Sequence, residues 1–449
     1  MKLYLYYLLF SFLLYSQNFL FSLFSAFVFV PSLGGFITIY LLVLLISKSS
    51  YSKLIFFIWM FIYLIHFSFI SFFGREITSS DIYLFFTHLV ETYETFAYTL
   101  HIYLGAFILF SFFINLIYWI NFKKVKINLY LLTLLFLSTL FMGEKTNDAS
   151  FLLLKAFKNI SFLDTETIEL KETKKLKPLR SSNINIVLII GESMRAKEYQ
   201  DREYEMFENY FYKTIYSGAT STDVSVPLLI NGAIKPSSID MGKNLFTLAK
   251  QNNFYTTFIT AQTTHSMKYI KPYLALNNID DFRILGTRDD KSLIDELKKI
   301  DNNHTNLFVA QMQGEHSPYK YYPNFKDIDL KSRYNQSMNY SNKIIMQMIE
   351  HIKKIDKRTI FIFTSDHGEL LGEGSMYGHN TFEEQVYRVP LIIVDNFNSD
   401  VLYEDIFSHN DVYTLIYHSL GYSKILKYSQ ETLRVNGSMI NEEDGYKLF

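Results

Sequence analysis

The run Ile184-Asn-Ile-Val-Leu-Ile-Ile190, followed at once by Gly191-Glu192-Ser193-Met194-Arg195, decides how the second half of this chain is read. The run is apolar nearly throughout rather than alternating, which suggests a strand covered on both faces. Similar runs recur at 255–260, 306–311, 359–364 and 390–394, and the segment 330–355 has helical spacing. Strands alternating with helices point to a mostly parallel sheet sandwiched between helices, an α/β/α architecture. Sites in such folds gather at the carboxyl ends of the strands, so the residues directly after each run carry the chemistry.

After the first run comes Glu192, and after the fourth comes Ser365-Asp366-His367-Gly368-Glu369. Between them lies Ser217-Gly-Ala-Thr-Ser-Thr222-Asp-Val-Ser225-Val-Pro227. A Glu, an Asp and a His offer oxygen and nitrogen ligands suited to Zn²⁺, with Mn²⁺ as the alternative. A fourth position is left for a hydroxyl, whose pKa a metal would lower until it became an effective nucleophile. Each piece alone has a plainer reading. Glu192 would be a helix cap, Asp366-His367 a turn, and Thr222 part of a polar loop. Their joint arrangement in one α/β domain carries the inference.

The first third of the chain is of another kind. No charged residue stands between Lys2 and Lys48, or between Lys53 and Arg75. A helix needs about 20 apolar residues to cross the hydrocarbon core. Five spans are expected, near 4–28, 33–47, 54–73, 100–121 and 127–143, the first two separated by Pro31, Gly34 and Gly35. The first run is too long for a cleavable signal peptide, and further spans follow it. Lys2, the pair Lys48 and Lys53, and the trio Lys123, Lys124 and Lys126 then fall on one side. The positive-inside rule makes that side cytoplasmic. The N-terminus is therefore expected in the cytoplasm, and everything after the fifth span in the periplasm of a Gram-negative cell. The domains follow: 1–143 a membrane domain with a surface helix near 79–98, 144–182 an interfacial helix and linker, and 183–449 the periplasmic domain.

Composition excludes several classes. The chain has no cysteine, so disulfides, thiolate metal ligands and a Cys nucleophile are ruled out. Lys and Arg number 43 against 44 Asp and Glu, so nothing at whole-chain level speaks for nucleic acid.

The chain resembles the phosphoethanolamine transferase family of Gram-negative bacteria, of the alkaline-phosphatase/sulfatase type, which includes lipid A-modifying, polymyxin-resistance enzymes. Gly191–Arg195 matches its Gly-Glu-Ser-x-Arg. Thr220-Ser-Thr222-Asp-Val-Ser225-Val-Pro227 matches its nucleophile segment, and Ser365–Glu369 with Leu371-Gly372-Glu373 and His379 matches its Ser-Asp-His-Gly-Glu region. His316-Ser317-Pro318-Tyr319 matches its His-x-Pro-Tyr-like segment. The resemblance extends to the five-span anchor and so covers essentially the whole chain.

The resemblance implies that Glu192, Thr222, Asp366 and His367 ligate a catalytic zinc. Thr222 would attack the phosphorus of phosphatidylethanolamine, release diacylglycerol and hold phosphoethanolamine until an envelope acceptor displaces it. Lipid A phosphate heads the acceptors, with lipopolysaccharide core sugars, a periplasmic glycan or a protein as others. His316 and His379 would serve the phosphoryl oxygens, a second metal, or the proton of leaving and entering groups. Lys268 is either a neighbour of the substrate phosphate or a surface lysine. Glu91, in His88-Leu-Val-Glu91-Thr-Tyr-Glu94, resembles a segment placed beside the substrate ammonium and also reads as an ordinary amphipathic helix. Activity is expected to fall in mild acid, because the ligands must be deprotonated.

The chain departs from the family in one respect. Members often staple this domain with disulfides, and here Gly218 and Leu228 occupy the flanks of the nucleophile segment. The segment 231–310 matches no motif and is expected to carry acceptor specificity. Three rivals remain. One is a phosphoglycerol transferase of the lipoteichoic-acid-synthase type, against which Gly-Glu-Ser-x-Arg and Ser225-Val-Pro227 speak. A second is a sulfatase or phosphodiesterase, although sulfatases usually need a modified Cys or Ser in a Cys/Ser-x-Pro-x-Arg context that is absent here. The third is a sensor with an inactive domain, against which the intact Glu192, Thr222, Asp366 and His367 speak.

Overall fold

The computed structural model describes residues 2–15, 33–47, 50–75, scattered positions from 77 to 133, and 170–449 apart from 174–175, 201–206, 208, 301–302, 324, 326–328, 398–402, 423–432 and 443. The chain divides into two compact units. One is Met1–Asp164 with Gly372–Tyr377, and the other is Thr165–Leu371 with Gly378–Phe449.

In the first unit, α1 (Lys2–Tyr15), α2 (Leu33–Ser47) and α3 (Ser52–Phe73) coincide with parts of the first three expected spans. Among the described residues, α3 is the helix long and apolar enough to cross a bilayer. Its 22 residues rise about 33 Å at ~1.5 Å each. Tyr7, Phe10, Val43 and Phe56 pack into one buried cluster, with Phe10 edge-on to Phe56 at 5.3 Å. The fourth and fifth spans and the 79–98 stretch fall, all but isolated positions, outside the described residues, and Glu91 with them.

The second unit is built on a seven-stranded sheet. Its strands are β1 (Asn185–Gly191), β2 (Phe211–Tyr216), β3 (Tyr255–Thr260), β4 (Asp281–Ile284), β5 (Asn306–Gln311), β6 (Thr359–Ser365) and β7 (Arg388–Asp395), in the order β2-β7-β6-β1-β5-β3-β4. β1 lies at the centre, parallel to β5 on one side and to β6 on the other. β7 runs antiparallel to both β6 and β2, so the sheet is mixed. Every one of the five apolar runs is a strand. The edge strands β2 and β4 were not legible as such. Both are mainly half-buried, and neither Phe-Tyr-Lys-Thr-Ile-Tyr nor Asp-Phe-Arg-Ile has the continuous apolar character of a strand covered on both faces.

Successive side chains of β1 point to opposite faces and feed two cores. Ile186, Leu188 and Ile190 join one cluster with Val226 and Leu229 of α4 (Thr222–Asn231), Phe246 of α5 (Leu245–Gln251) and Leu415. Val187 and Ile189 join the other, with Leu293 of α6 (Lys291–Leu297) and Met338 and Ile345 of α7 (Leu330–Ile352). Helices thus cover both faces of the sheet. α4 stops at Gly232, whose φ of +58° is left-handed and where a Cβ would lie 2.2 Å from the Tyr413 ring.

Leu188 is wholly buried on the central strand. Leu188→Ala is expected to cost about 2–5 kcal/mol through lost burial and a cavity, measured by denaturant unfolding of the purified protein.

Candidate active site

The parallel register of β1 and β6 sets Gly191 opposite Ser365. The next residues of the two strands are therefore neighbours, and Glu192 meets Asp366 and His367 at the carboxyl edge of the sheet. All three are at most 2 % exposed. The Asp366 N–H donates to the Gly191 carbonyl (3.0 Å), and Asp366 Oδ1 accepts from the Ser193 and His367 amides (3.1 and 2.7 Å).

Thr222 opens α4 and brings its hydroxyl to the same point. Oγ1 donates to Glu192 Oε2 at 3.0 Å and lies 3.1 Å from His367 Nε2. His367 Nε2 is 3.4 Å from Glu192 Oε1 and 3.7 Å from Asp366 Oδ2. Its other nitrogen, Nδ1, stands 2.8 Å from the Gly368 carbonyl. A carbonyl can only accept, so Nδ1 carries a proton and Nε2 is turned inward toward Thr222 and the two carboxylates, the orientation of an imidazole that binds a metal once Nε2 is deprotonated. A Cβ at Gly368 would lie 2.1 Å from the Gln385 carbonyl, so this turn admits only glycine.

These residues fit a metal. Asp366 Oδ2 is buried with no hydrogen-bond partner, and such an orphaned acceptor is costly unless a cation compensates it. Ligand atoms of Glu192, Asp366 and His367 lie within 4.8 Å of one another, as do those of His367, Glu369 and His379.

Ionisation is coupled across the cluster. Burial pushes the Glu192 carboxyl up, but the hydrogen bond and charge of His367 outweigh it and hold the group well below the usual range. Burial raises Asp366, and the charge of Glu192 raises it further. Burial alone would lower His367, yet the flanking Asp366 and Glu192 carboxylates drive it well above the ordinary imidazole value.

The structure gathers Glu192, Thr222, Asp366, His367 and His379. The His379 ring sits 4.3 Å from that of His367, with Nδ1 3.1 Å from Glu369 Oε2. His316 lies on the turn after β5, near enough for its charge to act on Glu192. Lys268 is exposed, and its ammonium lies by the Tyr269 side chain. Arg195 of the Gly-Glu-Ser-x-Arg stretch is buried and serves the scaffold, pairing with Glu198 and lying over the Tyr334 ring.

Two residues at the site escaped the sequence reading. Gln262 Nε2 donates to Glu192 Oε2 at 2.9 Å and to the Met312 carbonyl at 3.1 Å, fixing the carboxylate's orientation. It follows the end of β3 closely, where a search of strand ends finds it. His409 opens α8 (His409–Ser419) and is buried against Gly218 and Ser225, on either side of Thr222 in the sequence. A lone histidine in a helix gives no sequence signal.

Residues 184–422, just over half of the chain, match the sulfatase family. The chain belongs to the sulfatase family. Among curated relatives of this sulfatase-family chain is the phosphoethanolamine transferase EptA of Helicobacter pylori, 22% identical over 260 residues that cover 49% of this chain and 50% of the relative. The chain thus spans about half the length of that relative. Among solved structures, the integral membrane lipooligosaccharide phosphoethanolamine transferase A of Neisseria meningitidis superposes with a TM-score of 0.61, at 14% identity, over 90% of this chain and 94% of that one. The C-terminal periplasmic domain of EptC from Escherichia coli, in complex with Zn, superposes with a TM-score of 0.51, at 15% identity, over 62% and 96%. At such identities the likeness shows a shared fold.

The pKa values of His367 and Asp366 are both raised, so protons compete with a metal for these two groups, while that of Glu192 is lowered. Affinity for a divalent cation is therefore expected to fall as pH drops from about 8 to 6, with protons released on binding. Calorimetric titration in two buffers of different ionisation enthalpy checks this; a pH-independent affinity would place the metal elsewhere.

Proposed function

We propose that this chain is a membrane-anchored phosphoethanolamine transferase that works through a phosphothreonine at Thr222. The observation that carries the reading is the position of the Thr222 hydroxyl, 3.0 Å from Glu192 Oε2 and 3.1 Å from His367 Nε2 at the start of a helix. An ordinary loop threonine has no reason to meet both a buried carboxylate and the inward-facing Nε2 of a buried imidazole.

The donor is phosphatidylethanolamine. Thr222 Oγ attacks phosphorus, the bond from phosphorus to the glycerol oxygen breaks, and diacylglycerol leaves with a proton. Glu192 already accepts the Thr222 hydrogen bond and takes the hydroxyl proton; its lowered pKa makes it a weak base, so this step also needs the hydroxyl pKa lowered. His379, oriented by Glu369, or His316 supplies the proton to the departing alkoxide. An envelope acceptor, with lipid A phosphate first and lipopolysaccharide core next, then displaces the phosphoethanolamine from Thr222. Splitting one displacement in two makes each step easier. The amides at the start of α4 and the helix dipole favour the phosphoryl negative charge beside Thr222.

Glu192, Asp366, His367 and Thr222 would hold zinc, or manganese in its place, which would supply Lewis acidity that lowers the hydroxyl pKa and neutralises phosphoryl charge. The distribution of lysines among the expected spans supports an inner-membrane anchor with a cytoplasmic N-terminus and a periplasmic catalytic domain. Anchoring holds the enzyme at the surface where its lipid donor is concentrated.

The test is turnover of fluorescent phosphatidylethanolamine by the purified, zinc-loaded protein. Labelled diacylglycerol is expected from the wild type, and none from Thr222→Ala or after chelation. Glu192→Ala and His367→Ala are expected to lose about two to four orders of magnitude in rate, together with zinc. Cleavage of phosphatidylglycerol instead would refute the donor, and an active Thr222→Ala would refute the nucleophile.

A further inference from the structure

His409 is buried between two segments that are far apart in sequence but together form the candidate site. The Gly218 N–H points at Nδ1 from 3.1 Å, and Nε2 lies 2.9 Å from the Ser365 carbonyl. Gly218 leads into the Thr222 segment, and Ser365 is the last residue of β6, immediately before Asp366. The two partners assign the tautomer. An amide can only donate, so Nδ1 is the acceptor. A carbonyl can only accept, so Nε2 carries the proton. Ser225 on α4 extends the junction: its hydroxyl donates to the Asp366 carbonyl at 2.6 Å and sits 3.3 Å from His409 Nδ1. Thr364 Oγ1 stands 3.4 Å from Nε2.

These contacts are not what α8 needs for itself. Its start is already braced by Asp411, whose Oδ2 accepts from the Phe407 and Ser408 amides and from the Ser408 hydroxyl, each at 2.9 Å. Both imidazole nitrogens are spent on backbone groups, so His409 is also no metal ligand. What the ring spans is the gap between the start of the Thr222 segment and the turn that bears Asp366 and His367. No covalent brace can hold that gap, because the chain has no cysteine.

We propose that His409 is a positioning residue for the transfer reaction, a neutral imidazole strut that holds the Thr222 segment in register with the Asp366–His367 turn. The proposal rests on the transferase reading for its consequence in rate, while the strut itself is a separate, measurable property. Thr222 Oγ1 must stay near 3 Å from both Glu192 and His367. Misplacing a reacting group by about 1 Å can cost about 100-fold in rate.

The experiment uses the zinc-loaded, full-length protein and three variants. His409→Phe keeps the ring and removes both hydrogen bonds. His409→Asn restores an acceptor where Nδ1 stands. Tyr422→Phe, which removes a buried hydrogen bond to the Leu248 carbonyl away from the site, controls for general destabilisation. In His409→Phe, kcat for phosphatidylethanolamine cleavage is expected to fall about 10- to 100-fold, with KM and zinc content near wild type and faster amide exchange at Gly218. His409→Asn should recover part of both losses, and Tyr422→Phe should show neither. Unchanged Gly218 exchange in His409→Phe, or a kcat loss no larger than that of Tyr422→Phe, overturns the proposal. If the wild type cleaves no lipid, the transferase reading falls, and Gly218 exchange still decides whether the strut exists.

Discussion

Parallel pairing of β1 with β6, in the register that faces Gly191 with Ser365, is the constraint on which the candidate site depends. It brings two carboxylates and an imidazole together at the end of an apolar sheet, where all three are buried. Uncompensated burial of such groups costs several kcal/mol each. Part of the compensation is mutual, for the neighbouring carboxylates raise the pKa of His367 and His367 lowers that of Glu192. It is incomplete, since Asp366 Oδ2 has no hydrogen-bond partner. A cation placed among them would remove that deficit. The local strain in polarity and the proposed chemistry thus share one cause.

Much of this was legible in the sequence because burial on both faces leaves a plain trace. The strands β1, β3, β5, β6 and β7 are all continuous apolar runs, and Glu192, Asp366 and His367 directly follow two of them. The direction of β7 was not legible. A central strand buried on both faces is apolar whether its neighbours run with it or against it. β2 and β4 were hidden for the opposite reason: an edge strand is half-covered, and its mixed composition reads as loop. Gln262 and His409 act through groups that many side chains offer, an amide N–H and an imidazole bonded to backbone. Only the fold shows that their partners are Glu192 in one case and the Gly218 and Ser365 backbone in the other.

Membership in the sulfatase family fixes the scaffold without fixing the reaction. The group placed against Glu192 and His367 is a threonine hydroxyl, and the chain holds no cysteine from which a sulfatase-type modified nucleophile could form. A hydroxyl in that place suits attack on phosphorus by a nucleophile that needs only a base and a charge-neutralising partner. The surrounding scaffold is arranged to keep it there. Arg195 and Glu198 form a buried pair beneath the Glu192 turn, and Tyr334 donates to the Ser193 carbonyl at 2.7 Å while accepting from the Arg195 amide at 3.1 Å.

The same turn also controls the other side of the site. The Glu315 amide donates to the Glu192 carbonyl at 2.9 Å, and Gly314, with φ +49°, lies so close that a Cβ there would come within 2.8 Å of the Glu192 backbone. Asp290 ties down this turn from behind, its carboxylate accepting from the Gln313 and Gly314 amides at 2.6 and 2.9 Å. His316 follows directly. The backbone of Glu192 therefore locates the histidine turn while its side chain meets Thr222 and His367, so a displacement of this one residue would disturb the proposed nucleophile and the proposed proton donor together. Such coupling explains why the turn is braced by a buried carboxylate rather than left as an ordinary loop after a strand.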